Sequence, residues 1–215
     1  MPRKRTPVSN YFPYHIIARA NNREWFALPM NQIWEIFSDY LFLINKVYSA
    51  KIYAFTLMDN HFHLIVSTPQ HPLGEIMNRF MTETSQAINA LGGRINHVYG
   101  GRHKACLIEN AQYFANVTKY VYRNPVHAGL CIKVEEYPWS SLSGTLGRGK
   151  IIFPLDRHAF NSVLPKSVEE NLAWLNSDLK PIHRKLITRA LTKTQFYVPS
   201  KKMSDEAYEI RSGLC

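Results

Sequence analysis

The segment Asn60-His61-Phe62-His63-Leu64 places two imidazoles two positions apart in a run that reads as a strand. Alternate side chains of a strand share a face, so His61 and His63 project together while Phe62 turns to the opposite, packed side. Two imidazoles on one rigid strand can hold a divalent metal once a third donor is supplied. They can equally be half-exposed residues of a hairpin, and the H-x-H spacing alone does not choose between these. A second pair lies in Tyr120-Val121-Tyr122-Arg123-Asn124-Pro125. Tyr120 and Asn124 are four apart, hence on one helical face, where a phenol and a carboxamide oxygen would address the same metal-bound phosphate. Tyr122 points elsewhere. A neutral phenol, with a pKa of about 10, is a weak nucleophile and needs nearby positive charge or a metal-polarised phosphate to react at neutral pH. The alternative is a core aromatic on an amphipathic helix, whose apolar face Tyr113, Phe114 and Val117 mark.

Those side chains need elements to carry them. Residues 14–20 alternate as a strand, with Ile16 and Ile17 on opposite faces. From Pro29, the spacing of Ile33, Trp34, Phe37, Leu41, Ile44 and Val47 predicts an amphipathic helix. Two apolar runs, 51–57 and 61–68, flank the turn residues Met58-Asp59-Asn60 and should pair as an antiparallel hairpin. A helix opened by Pro72 and stopped by Gly92-Gly93 follows, then a strand at about 104–109. Asn110 caps a third helix over 111–124, ended by Pro125. This order predicts an α+β domain, an antiparallel sheet with packed helices, spanning 1–143. Residues 144–149 read as a linker to a mainly helical C-terminal extension, 150–215. There Ser167 and Glu170 form a capping box, and a basic helix is expected at 182–194.

Three segments, Met58 to Val66, Tyr120 to Leu130, and Tyr137-Pro138-Trp139-Ser140-Ser141, resemble in order and spacing the signature of REP-associated tyrosine transposases, within the histidine-hydrophobic-histidine nuclease superfamily. The resemblance covers roughly residues 14–142. It implies a ferredoxin-like or RRM-like palm, one Mg²⁺ or Mn²⁺ on His61 and His63, Tyr120 as nucleophile, and Asn124 as a further metal ligand. The implied activity is that of a single-strand DNA endonuclease and strand transferase, forming a 5′-phosphotyrosine and a free 3′ hydroxyl beside hairpin DNA, with no nucleotide cofactor. Two positions depart from the family pattern: Asp59 replaces a common proline, and His127 a common arginine.

The formal charge of +10 suits a polyanionic partner. Arg94, Arg102, Lys104 and Arg123 are candidate DNA contacts around the core, with Tyr99 as a stacking face. Arg184, Lys185, Arg189 and Lys193 spread over one side of the expected C-terminal helix and mark a DNA-contacting extension, with Lys201 and Lys202 beyond it. Cys106, Cys131 and Cys215 suggest neither a disulfide framework nor a four-thiolate zinc site. No apolar run reaches the roughly 18 residues of a membrane span, and the basic start lacks the apolar segment of a secretory signal. The expected setting is therefore cytoplasmic and nucleoid-associated, for a monomer or a homodimer. Two other readings remain: a nucleic-acid-binding module with a dead centre, and a zinc-stabilised protein using His61, His63 and either His103 or Cys106.

Overall fold

Period-2 alternation gives each strand one wholly apolar face, and in the computed structural model, which describes residues 6–95 and 97–197, that face decides the architecture. Strand β1 (Tyr14–Arg19) turns Tyr14, Ile16 and Ala18 to one side, and β3 (His61–Ser67) sends Phe62, Leu64 and Val66 the same way. Helices α1 (Met30–Tyr48) and α2 (Leu73–Gly92) cover that side. Phe37, Phe55, Phe62 and Phe80 interlock there, fully buried, each contributing roughly 1.5–3 kcal/mol by removal from water. Strands β2 (Lys51–Met58) and β4 (Lys104–Leu107) complete a sheet of order β2-β3-β1-β4, every neighbour antiparallel. The chain order β1-α1-β2-β3-α2-β4 with this strand order is the ferredoxin-like arrangement expected from the sequence.

The opposite face of the sheet receives α3 (Ala111–His127). Asn110 caps it, its side-chain oxygen accepting from the N–H groups of Gln112 and Tyr113, which sets where the helix begins. The helix does not stop before Pro125 as expected. Proline lacks only one N–H, a small loss in a last turn whose carbonyls are recovered beyond it. Gly129, at φ +73°, donates to Val126, and the Leu130 N–H reaches back to the Pro125 carbonyl.

Beyond residue 143 the described chain, to residue 197, packs back on the sheet and on α3. Helix α4 (Ser141–Thr145) takes in the start of the expected linker, and a Cβ on Gly144 would run into Ile151. Phe153 belongs to the α1/α2 core, and the Asp156 N–H bonds to the Ile52 carbonyl beside β2. Helix α5 (Val168–Asn176) carries the expected capping box, Ser167 accepting from the Glu170 N–H at 3.1 Å. Helix α6 (Pro181–Leu191) begins one residue early and ends three short of the basic helix read from the sequence. Leu175, Leu179, Ile187 and Leu191 share the core under α3. Gln195 then bridges in parallel to Leu107, covering part of the outer edge of β4. The basic arm 2–5, Lys201, Lys202 and Cys215 lie outside the described residues. Among the described residues no helix is long and apolar enough to cross a membrane.

Candidate active site

His61 and His63 point from β3 toward α3, with ring centroids 5.0 Å apart. The register pairs Ile17 of β1 with His63 and Arg19 with His61, so a guanidinium stands beside the histidine pair. Alternation also brings His15 to this face, and there it meets His63: Nε2 of His15 and Nδ1 of His63 are 2.9 Å apart and share one proton. Both rings are buried. His61, half-buried, is oriented by its own neighbour, with its Nδ1 2.7 Å from the Asn60 side-chain oxygen.

Burial keeps all three imidazoles neutral. Desolvation lowers His15 to about 3, and it lowers His61 to about 4 with help from Arg19. His63 falls well below its usual value, again mainly through burial, with His15, His61 and Arg19 adding to the effect. Neutral imidazole is the form that binds metals. Among the described residues no group of three or more His, Cys, Asp or Glu side chains converges to hold an ion. A cation here would therefore have two imidazoles and otherwise oxygens from amide, water or phosphate, an open mixed nitrogen and oxygen set that leaves positions for a substrate. It does not fit a closed tetrahedral zinc site. Cys106 is buried beneath α6, its thiol 3.7 Å from the Ala190 carbonyl.

Tyr120 projects from α3 onto this cluster. Its half-buried ring stands edge-on to His63 at 5.7 Å and to His15 at 6.2 Å. Tyr122 points the other way as expected: buried, with its hydroxyl 3.0 Å from Ser141 and its pKa raised to about 12 by burial. Asn124 folds back on its own helix, its amide nitrogen donating to the Tyr120 carbonyl at 2.7 Å. That leaves the amide oxygen as its only donor atom for a metal.

An open cleft of about 400 Å³ begins at His15, His63 and Tyr120. One wall is the β1 end from Arg19 to Arg23; another is Gly100, Gly101, Arg102 and Lys104; α6 contributes Thr188, Leu191 and Thr192. The Gly100 N–H bonds to the Arg19 carbonyl, and a Cβ at this position would stand 3.4 Å from the Asn21 Cα, so the glycine loop is tied closely to the end of β1. Arg102 and Lys104 thus stand at the site, and Arg184, Lys185, Arg189 and Lys193 are exposed on or just after α6.

Several expectations need correction. Arg123 is buried and holds the end of α5, donating to the carbonyls of Leu175 and Asn176 and pairing with Asp178 at 2.5 Å. It offers nothing to DNA because it is buried and both terminal guanidinium nitrogens are bonded within the protein. Arg94 does not line the catalytic cleft; it lies 3.8 Å from Glu24 on a neighbouring hollow. Tyr99 packs on Phe26 and Phe62 with its hydroxyl on Thr84, so its ring is not a free stacking face. His127 is held neutral, lowered to about 4 by burial and by the charges of Arg184 and Arg123. Sequence reasoning missed His15, Arg19 and Arg23. Carrying the alternation of residues 14–20 one step further would have placed His15 and Arg19 on one face.

The model of the IS200-like transposase family matches residues 8–124, more than half of the chain and a span containing every residue of this cluster. The chain belongs to the IS200-like transposase family. A solved structure described as a REP-associated tyrosine transposase bound to a REP hairpin has the same fold, with a TM-score of 0.56 at 17% identity, covering 69% of this chain and 87% of that one. A second, a putative transposase from Deinococcus radiodurans R1, aligns with a TM-score of 0.39 at 15% identity, over 56% of this chain and 95% of that one. No curated protein matches the chain.

Proposed function

We propose that this transposase cuts and rejoins single-stranded DNA beside a hairpin through a covalent 5′-phosphotyrosine on Tyr120. The observation that carries the reading is the placement of the Tyr120 ring edge-on to His63 at the head of a cationic cleft. Arg19, Arg102 and Lys104 draw a phosphodiester into that cleft and offset the charge it gains during attack. The Tyr120 oxygen then bonds to phosphorus in line with the departing 3′ oxygen; the phenolic proton passes to water and the 3′ oxygen takes one up. Because a phosphodiester is exchanged for a phosphodiester, a second 3′ hydroxyl can reverse the step and join strands.

Mg²⁺ or Mn²⁺ would be held by His61, His63 and the amide oxygen of Asn124, and would supply polarisation of the phosphate. His15 fixes the plane of the His63 ring through their shared proton, so the ring does not have to be ordered when DNA arrives. The described part of the C-terminal extension acts with the catalytic region: Thr188 and Leu191 of α6 wall the cleft, and Arg184, Lys185 and Arg189 on the same helix are exposed to contact a hairpin stem. The bound hairpin of the structurally similar transposase motivates the choice of partner.

The test uses hairpin-flanking single strands labelled at the 5′ or the 3′ end, incubated with Mn²⁺ and run on denaturing gels. Only label downstream of the cut should migrate with protein, and Tyr120→Phe should abolish the shifted band. No adduct with wild-type protein on any strand would overturn the proposal.

A further inference from the structure

A second hollow, about 260 Å³, lies behind the β1 end of the catalytic cleft and shares with it Ala20, Asn21 and Asn22. Its other lining comes from residues 24–27 and from the end of α2 and the loop after it, including Asn89 and Arg94. We propose that it is a nucleobase pocket, in which Trp25 stacks on an unpaired base of the same strand whose phosphate occupies the catalytic cleft. The proposal rests on the single-strand reading above.

Trp25 is the first reason. A tryptophan costs more to leave in water than any other large side chain nearby, yet Trp25 is 74% exposed at the rim of a concave, polar hollow. Base stacking on aromatic faces is the sequence-tolerant part of single-strand binding. The lining is the second reason. Asn21 and Asn22 are carboxamides, which offer a donor and an acceptor together and suit the edge of a base. Arg94, with Glu24, sets charge at the mouth.

Rigidity of the shared wall is the third reason. Ala20 donates to the Asn60 carbonyl, Asn21 to that of Val98, and Phe26 to that of Asp59, while the Asn60 amide nitrogen holds the Arg23 carbonyl. These bonds keep Asn22 and Arg23 at φ 53° and 60°, a conformation that asparagine tolerates and arginine seldom adopts. The result is a fixed ridge with Arg23 toward the catalytic cleft and Trp25 toward the hollow. A strand crossing that ridge has its backbone beside Arg19 and Arg23 and one base turned out over the far side. Asn60 ties the ridge to the turn that carries His61, so the base pocket and the catalytic histidines keep a constant separation. Such a pocket would select the cleavage position by counting nucleotides from the scissile phosphate.

The experiment measures binding of hairpin-flanking single strands by full-length protein, with a single abasic site walked through every unpaired position. In wild type, one position should weaken binding roughly 5- to 150-fold, the effect of losing one stacked base. Trp25→Ala should weaken intact strand by the same factor and add nothing when the abasic site is already there; Trp25→Phe should restore most of it. A 2-aminopurine at that position should be quenched by wild type and not by Trp25→Ala. Effects of Trp25→Ala that multiply with every abasic site, or Trp25→Ala binding at wild-type strength, would overturn the pocket. The outcome separates from the catalytic proposal: non-additivity at one position without any adduct keeps the pocket and removes the tyrosine chemistry, whereas an adduct without non-additivity does the reverse.

Discussion

Replacing Tyr122 by phenylalanine removes one oxygen, and the structure assigns that oxygen a structural task. It lies 3.0 Å from Ser141 in a buried position, and Ser141 in turn accepts the Phe55 N–H of β2 at 2.9 Å. A net hydrogen bond of this kind contributes about 0.5–1.5 kcal/mol, and Ser141 keeps one partner, so a loss of about 1 kcal/mol is expected. For a chain of this length that corresponds to a fall in Tm of roughly 2–4 °C. The tyrosine adduct should form as in wild type, because burial that raises the Tyr122 phenol to about 12 makes it a poor nucleophile. Tyr120→Phe should do the opposite. Its side chain is half exposed, so stability should change by less than about 0.5 kcal/mol while the adduct disappears. Thermal unfolding and denaturing gels on the same preparations read both quantities. An adduct that vanishes in Tyr122→Phe at unchanged Tm, or persists in Tyr120→Phe, would refute the assignment of the two rings.

His61→Ala and His63→Ala should each abolish cleavage, as should removal of divalent metal by a chelator; wild-type nicking by either variant in Mg²⁺ would exclude the proposed metal site. Arg123→Ala should cost roughly 2–3 kcal/mol by leaving the Leu175 and Asn176 carbonyls unpaired, with no change in the salt dependence of binding. Lys104→Ala should keep the Tm but reduce the slope of log affinity against log salt by about 0.7, the value for one single-strand phosphate contact, and an unchanged slope would remove Lys104 from the DNA path. Stability should also depend on acid. The folded-state values of about 3 for His15 and about 4 for His61 lie below the unfolded 6.5, so the unfolded chain binds more protons in between; the stabilisation is complete above pH 6.5 and is lost as pH falls from there, toward 4 for His61 and toward 3 for His15. His15→Gln should flatten that acid limb in a series of thermal melts, and an identical limb would show that His15 does not contribute.

Much of the frame was legible because it follows from local periodicity. Alternation placed His61 and His63 on one face of β3 with Phe62 opposite, and the helical repeat separated Tyr120 from Tyr122 before any tertiary contact was known. The element order, the caps at Asn110 and Ser167, and the motifs that resembled a transposase signature are likewise properties of short stretches. Tertiary structure decided what depends on register and on which face meets which. His15 becomes a partner of His63 only when β1 pairs with β3 in this alignment, although 48 positions separate them. Arg123 looks like a free cation until α5 ends above it, and Gly144 looks like a linker until Ile151 fills the space a Cβ would need. The walls of the cleft come from β1, the loop before β4, and α6, whose mutual placement is set by burial across the whole chain. Local pattern specifies the direction in which a side chain leaves its own backbone; what it meets there depends on packing between residues far apart in sequence, which no short-range periodicity encodes.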